Sequence, residues 1–125
     1  MLWDEWRACA RDESRWTESN EKGLLKAEYL HEFQLRLWFE EDLDVCIYDL
    51  DWKALLIDEE PGSALLPLRD VERFQFVKGD YALIWPNPET GEYDASAIDL
   101  APECVRFFCE RQGRVVKAAR VAIAA

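Results

Sequence analysis

Apolar and polar side chains alternate along two short runs, residues 33–39 and 43–47, on either side of an acidic break at residues 40–42. Alternation with a period of two is typical of a strand that rests one face on a core. Two such runs joined by a short polar turn predict a β-hairpin, and we expect the other elements to assemble around it. The apolar positions are Phe33, Leu35, Leu37, Phe39, Leu43, Val45 and Ile47.

The rest of the chain shows both periodicities. A helical stripe of apolar residues predicts an amphipathic helix near the N-terminus, and helical spacing near the C-terminus predicts a second helix that begins at Asp99 as its cap and ends at Gly113. The tail at 114–125 fits a helix and a strand equally well. The other predicted elements are a helix at 2–16, strands at 24–30, 71–76 and 81–85, a short helical turn at 52–56, a hairpin turn at 78–80, and loops at 58–63 and 87–96.

These elements predict an α+β fold, in which an antiparallel β-hairpin sheet is combined with an N-terminal amphipathic helix, a short central helix and a C-terminal helix. A length of 125 residues fits one domain. We expect an N-terminal helical extension at 1–23, a single α+β domain at 24–112, and a C-terminal tail at 113–125.

Acidic residues dominate the charge of the chain, which is −11 at neutral pH. Residues 28–60 contain eleven Asp and Glu against two basic residues, Arg36 and Lys53. Such a charge disfavours direct binding to nucleic acid or to an acidic membrane surface, and it favours a basic protein partner. The alternative is an acidic surface that is only solvated. The candidate partner-binding acids are Glu40, Glu41, Asp42, Asp44, Asp49, Asp51, Asp58, Glu59 and Glu60.

Candidate reactive groups are few. His31 is the single histidine, and Cys104 and Cys109 form a C-x₄-C pair without a second pair to complete a zinc site. The four cysteines show no disulfide framework, and no apolar run is long enough to span a membrane. We therefore expect no catalytic residue, no cofactor and no metal, and a cytoplasmic protein with reduced thiols. A calcium loop starting at Asp49 is rejected because Ala54 stands where a glycine must turn.

Four strings occur in a characteristic order: the hairpin sequence LRLWFEEDLDVCIYDL, PLRD at 67–70, WPN at 85–87 and DLAPE at 99–103. In this order they resemble the small bacterial family called domain of unknown function 2442, over residues 24–108. The resemblance implies an α+β domain of β-hairpins with short helices and no enzymatic activity. Many members are encoded beside a small predicted toxin, which implies an antitoxin-like partner. The tail after the last helix is too short for the helix-turn-helix of longer relatives, so the usual argument for DNA binding is missing.

The leading hypothesis is a non-enzymatic, antitoxin-like interaction module that binds and blocks a basic protein, either a toxin or a nucleic-acid-binding protein. Arg69 and Trp85 are further candidate contacts, since Arg and Trp are common interface anchors. One alternative is a phage-type nucleic-acid mimic that inhibits a DNA- or RNA-binding complex, and it requires carboxylates in rows on one face. A second alternative is an enzyme with a carboxylate pair in a deep pocket. The sequence leaves a homodimer open.

Overall fold

A computed structural model of the chain describes residues 23–53, 56 and 65–118. These residues form seven strands, a 3-10 helix and two α-helices. In chain order the elements are β1 (Leu24–His31), β2 (Gln34–Glu41), β3 (Asp44–Asp51), the 3-10 helix (Leu66–Arg69), α1 (Val71–Phe74), β4 (Lys78–Asp80), β5 (Ala82–Trp85), β6 (Ile98–Leu100), α2 (Pro102–Gln112) and β7 (Arg114–Lys117).

The strands make two antiparallel sheets. The larger has the order β1-β2-β3-β7, and the smaller has the order β4-β5-β6. The predicted central hairpin is confirmed: β2 and β3 pair in continuous register from Gln34↔Asp51 to Glu41↔Asp44, and Asp42 and Leu43 form the turn. Leu35, which alternates with half-buried neighbours on β2, is fully buried, as strand periodicity requires.

The two sheets meet at β1 and the β4–β5 turn. The amide of Leu24 donates to the carbonyl of Tyr81 and the amide of Tyr81 donates to the carbonyl of Leu24, both at 2.8 Å. Strands β4 and β1 lie closest at Gly79, where a Cβ atom would be 2.5 Å from the backbone nitrogen of Ala27. Glycine is therefore required at this position for β4 to cross over β1.

One core lies between the sheets and α2. At its centre three large aromatic side chains, Trp52, Phe74 and Trp85, contact each other with ring centroids 5.7–6.3 Å apart. The indole Nε1 of Trp85 donates to the carbonyl of Phe74 at 2.9 Å, so the buried N–H has a partner. From the helix side, Val105, Phe108 and Cys109 close the same cluster.

The predicted fold class is wrong. In place of one hairpin sheet with three helices, the described residues form mostly antiparallel sheet in two pieces, and α2 is the one helix among them longer than a single turn. Of the predicted central helix at 52–56, the structure describes Trp52, Lys53 and Leu56, and the amide of Leu56 donates to the carbonyl of Trp52 at 2.9 Å, as in a helical turn. The predicted N-terminal helix at 2–16 lies outside the described residues.

Several local predictions also change. The segment predicted as a strand at 71–76 is helix α1, because the Asp70 side chain accepts the amide N–H of Glu72 and caps it. Residues predicted as a turn at 78–80 are strand β4, and the turn follows at Tyr81, where φ is +62°. The predicted helix cap, Asp99, lies in β6, and α2 begins at Pro102 after Ala101. Its predicted end at Gly113 is confirmed.

The tail that was left open begins as strand β7, which pairs with β3 through Tyr48↔Val115 and Asp49↔Arg114. Its four residues are exposed, so hydrogen bonds and ion pairs to β3 hold it in place more than apolar burial does. The boundary predicted between residues 112 and 113 falls between α2 and this strand.

Candidate interaction surfaces

The acidic residues predicted to bind a partner lie in two groups rather than one belt. Glu40, Glu41, Asp42 and Asp44 surround the β2–β3 turn, whereas Asp49 and Asp51 lie at the far end of β3. At about 3.3 Å per residue along β3, Asp44 of the first group lies about 17 Å from Asp49 of the second. Asp58, Glu59 and Glu60 lie outside the described residues.

Asp49 is buried, and its negative charge is compensated by arginines. Its carboxylate accepts two hydrogen bonds from Arg36, at 2.8 and 3.0 Å, and one from Arg114 at 2.6 Å. The hydrogen bonds from Arg36, and then the charges of Arg36 and Arg114, hold the pKa of Asp49 below its usual value against the opposing effect of burial. Across the larger sheet Glu28, Arg36, Asp49 and Arg114 lie side by side with alternating sign. Asp49 is therefore part of an ion-pair network and not of a free acidic surface, whereas Asp51 is exposed and accepts the amide N–H of Lys53 at 2.9 Å.

Two acids at the hairpin turn brace it against neighbouring elements. Glu41 forms an ion pair with Arg106 of α2, and Asp44 forms one with Lys117 of β7 at 2.7 Å. The Arg106 side chain is only 9% exposed and lies over the ring of Phe39, with 5.5 Å between guanidinium carbon and ring centroid. These contacts fix the turn relative to the helix and the last strand.

We define the acidic tip as Glu40, Glu41, Asp42 and Leu43, of which Glu41 is half-buried in its ion pair with Arg106 and the other three face solvent. Leu43 is 93% exposed, the highest value among the exposed large apolar side chains of the described residues. Glu40 and Asp42 are also exposed. An exposed leucine among carboxylates places an apolar contact point next to negative charge, so a partner that covers the tip would have to be cationic around an apolar contact.

The sequence interpretation missed two residues of this site. Leu43 was assigned to the buried face, although its place between Asp42 and Asp44 in a two-residue turn indicates exposure. Arg106 was given no role in the sequence analysis, and it is buried in the structure.

Of the PLRD and WPN strings, Leu68 and Trp85 belong to the core, whereas Pro67, Arg69 and Asp70 are exposed. Trp85 is fully buried under Phe74, so this side chain is not at the surface. Arg69 is exposed, and its Nε donates to the carbonyl of Leu56 at 2.6 Å. Of the two predicted interface anchors, Arg69 alone lies where a partner or ligand can reach it.

Two open depressions lie on the described part of the molecule. One, of about 350 Å³, lies beside Arg69 and is considered below. The other is a wide groove of about 680 Å³, and its two carboxylates, Asp70 and Glu72, are both exposed. The groove is open to solvent, so these carboxylates stand in water and not in the enclosed pocket that the enzyme hypothesis requires. The groove is lined by Pro67, Asp70, Glu72, Arg73, Gln75, Phe76 and Pro88.

The cysteine thiols of the described residues are buried. Cys46, Cys104 and Cys109 are buried free thiols, and burial raises the pKa of Cys109 well above its usual value. Burial also raises the pKa of Tyr48. The Cys109 thiol is a poor nucleophile, because the thiolate is the reactive form and burial disfavours it. His31 is exposed at the end of β1, and within the described ranges no group of three or more potential metal ligands is found.

Comparison of the chain with protein-family models, with curated proteins and with solved structures finds no match. Among the helices that the structure describes, none has the length and apolar character needed to cross a membrane.

Proposed function

We propose that this protein is a non-enzymatic interaction module that binds a basic protein partner through the acidic tip. The observation that carries the proposal is the exposure of Leu43 among carboxylates on a turn that two ion pairs hold in place. A pre-organised tip loses little conformational entropy on binding, and its carboxylates steer a cationic partner towards it. The resemblance to domain of unknown function 2442 supports an antitoxin-like role in which binding blocks the partner.

The distribution of acids favours this proposal over a nucleic-acid mimic. A mimic needs its carboxylates in a row on one face, whereas Glu41 points towards α2 and Asp49 lies with Arg36 on the opposite face of the sheet. A cytoplasmic location fits the three buried free thiols, which persist in a reducing compartment.

The test is a paired capture experiment in an extract of the host. The tip variant Glu40→Gln/Asp42→Asn and the control Glu89→Gln/Glu92→Gln change the net charge equally, and the control acids lie exposed in the loop after β5. Wild type and control should retain the same cationic protein in stoichiometric amount at low salt, and the tip variant should lose it. Near 1 M salt, where the screening length is about 3 Å, wild type should lose it as well.

Two results would count against the proposal. One is a partner that both variants retain equally. The other is a wild-type protein that captures no cationic protein in stoichiometric amount. A third variant, Leu43→Ser, separates the apolar contribution from the charge, because it should weaken capture while leaving the salt dependence of binding intact.

A further inference from the structure

Three consecutive hydrogen bonds link four residues around the smaller depression, namely Phe33, Trp52, Leu56 and Arg69. The carbonyl of Phe33 accepts the amide N–H of Trp52 at 2.9 Å, and the carbonyl of Trp52 accepts the amide N–H of Leu56 at 2.9 Å. The carbonyl of Leu56 in turn accepts Nε–H of Arg69 at 2.6 Å. These hydrogen bonds fix the described side of a depression of about 350 Å³, a volume at the lower end of the range for small-molecule sites.

One wall is set by the β1–β2 turn. Its two residues, Glu32 and Phe33, have φ of +47° and +63°. Positive φ at both central residues is what a two-residue hairpin turn of the primed type requires, so the hairpin itself fixes where the Phe33 side chain leaves the chain. The Phe33 ring packs on Phe74 with centroids 5.0 Å apart, which keeps the ring at the side of the depression.

The described lining combines apolar walls with two cations. Phe33 and Leu56 supply the apolar surface, and Lys53 and Arg69 supply the positive charge. The hydrogen bond from Arg69 to the carbonyl of Leu56 fixes the plane of its guanidinium group beside the apolar wall. A planar guanidinium and a flexible ammonium next to an apolar surface are complementary to a carboxylate attached to an apolar body.

We propose that this pocket, lined by Phe33, Lys53, Leu56 and Arg69, binds a small organic monoanion, a carboxylate that carries an aromatic or aliphatic body. A single negative charge is preferred to a double one because the chain carries −11 and the carboxylate of Asp51 accepts the amide N–H of Lys53 at 2.9 Å. The site does not depend on the acidic tip, which lies at the other end of β2 from Phe33.

The test uses 4-phenylbutyrate as the probe and follows amide shifts of the full-length protein by NMR during titration. We expect saturable shifts at Phe33, Lys53, Leu56 and Arg69. 4-Phenylbutan-1-ol, which has the same body without the charge, should bind about tenfold more weakly or worse. Lys53→Met should weaken phenylbutyrate binding about tenfold, whereas Lys78→Met, a matched change at an exposed lysine of β4, should alter it by no more than about twofold.

Four results would overturn the proposal. They are the absence of saturable shifts at these amides, equal affinity for the alcohol and the carboxylate, equal weakening by the two lysine variants, and tighter binding of the dianion phenyl phosphate than of phenylbutyrate. The variant Glu40→Gln/Asp42→Asn should bind phenylbutyrate as wild type does, so failure of the pocket and failure of the acidic tip can be told apart.

Discussion

Replacing Glu41 by glutamine should destabilise the protein by about 3 kcal/mol, whereas replacing Arg106 by methionine should cost no more than about 1 kcal/mol. The two residues form one ion pair between the hairpin turn and α2, but their surroundings differ. The Arg106 side chain is 9% exposed and the Glu41 side chain is 21% exposed. Removing the acid therefore leaves a cation that water reaches poorly, and removing the cation leaves an acid that water reaches more easily.

The magnitude follows from what each change leaves behind. Removing one partner of a buried pair costs about 3–5 kcal/mol, and Glu110, with a carboxylate oxygen 3.6 Å from Nε of Arg106, offsets part of that cost. Arg106 also has two buried nitrogens, Nε and Nη1, that lack a hydrogen-bond partner within the described residues. Methionine removes these unsatisfied donors together with the charge, and its flexible apolar chain keeps contact with Phe39.

Urea unfolding at neutral pH measures both effects. With a slope of about 1.5 kcal/mol per molar urea, a loss of 3 kcal/mol lowers the midpoint by about 2 M. The double variant Glu41→Gln/Arg106→Met should recover most of that loss. Glu110→Gln is the control, because its partly exposed i,i+4 pair with Arg106 should contribute only about 0.5 kcal/mol. The reasoning is refuted if Arg106→Met costs more than Glu41→Gln, or if the double variant is no more stable than Glu41→Gln alone.

Three further predictions concern pH, packing and thiol reactivity. Because the folded-state pKa of Asp49 is lowered, its stabilising effect is complete above the unfolded pKa of about 3.9 and is lost as pH falls towards the folded value. The difference in unfolding free energy between wild type and Asp49→Asn should therefore be constant above about pH 5 and shrink below about pH 4. Gly79→Ala should lower the unfolding free energy by more than about 2 kcal/mol, because the added Cβ would collide with the backbone of Ala27. Gly91→Ala is the control: its Cβ would meet open space, so only the positive φ of +72° opposes it and the loss in unfolding free energy should be about 1 kcal/mol. Cys109 should resist iodoacetamide in the native protein and react after unfolding, as measured by mass spectrometry, because burial raises its pKa.

Local sequence patterns were sufficient to predict the elements whose hydrogen-bonding partners are adjacent in the chain. The hairpin of β2 and β3 follows from its alternation, and the end of α2 follows from Gly113. Pro86 likewise marks the end of β5. Each of these depends on neighbouring residues or on a short-range turn, so a pattern along the chain is enough to predict it.

Contacts between distant segments account for most of what the sequence did not predict. β7 is a strand because β3 supplies its hydrogen-bonding partner, with Arg114 and Asp49 separated by 65 positions. For the same reason the sequence did not show that Asp49 is ion-paired with Arg36 and Arg114, and its charge was counted towards an acidic surface. Phe33 was placed in the strand because it is apolar, whereas it is the second residue of the β1–β2 turn and its ring packs on Phe74.

Hydrogen–deuterium exchange on the complex with the captured cationic protein tests the proposed contact most directly. The amides at residues 40–44 should exchange markedly more slowly when the partner is bound, because the acidic tip is then covered. Residues 67–76, which border the wide groove, should exchange at the same rate with and without the partner. Protection of the groove with no change at residues 40–44 would contradict binding through the tip.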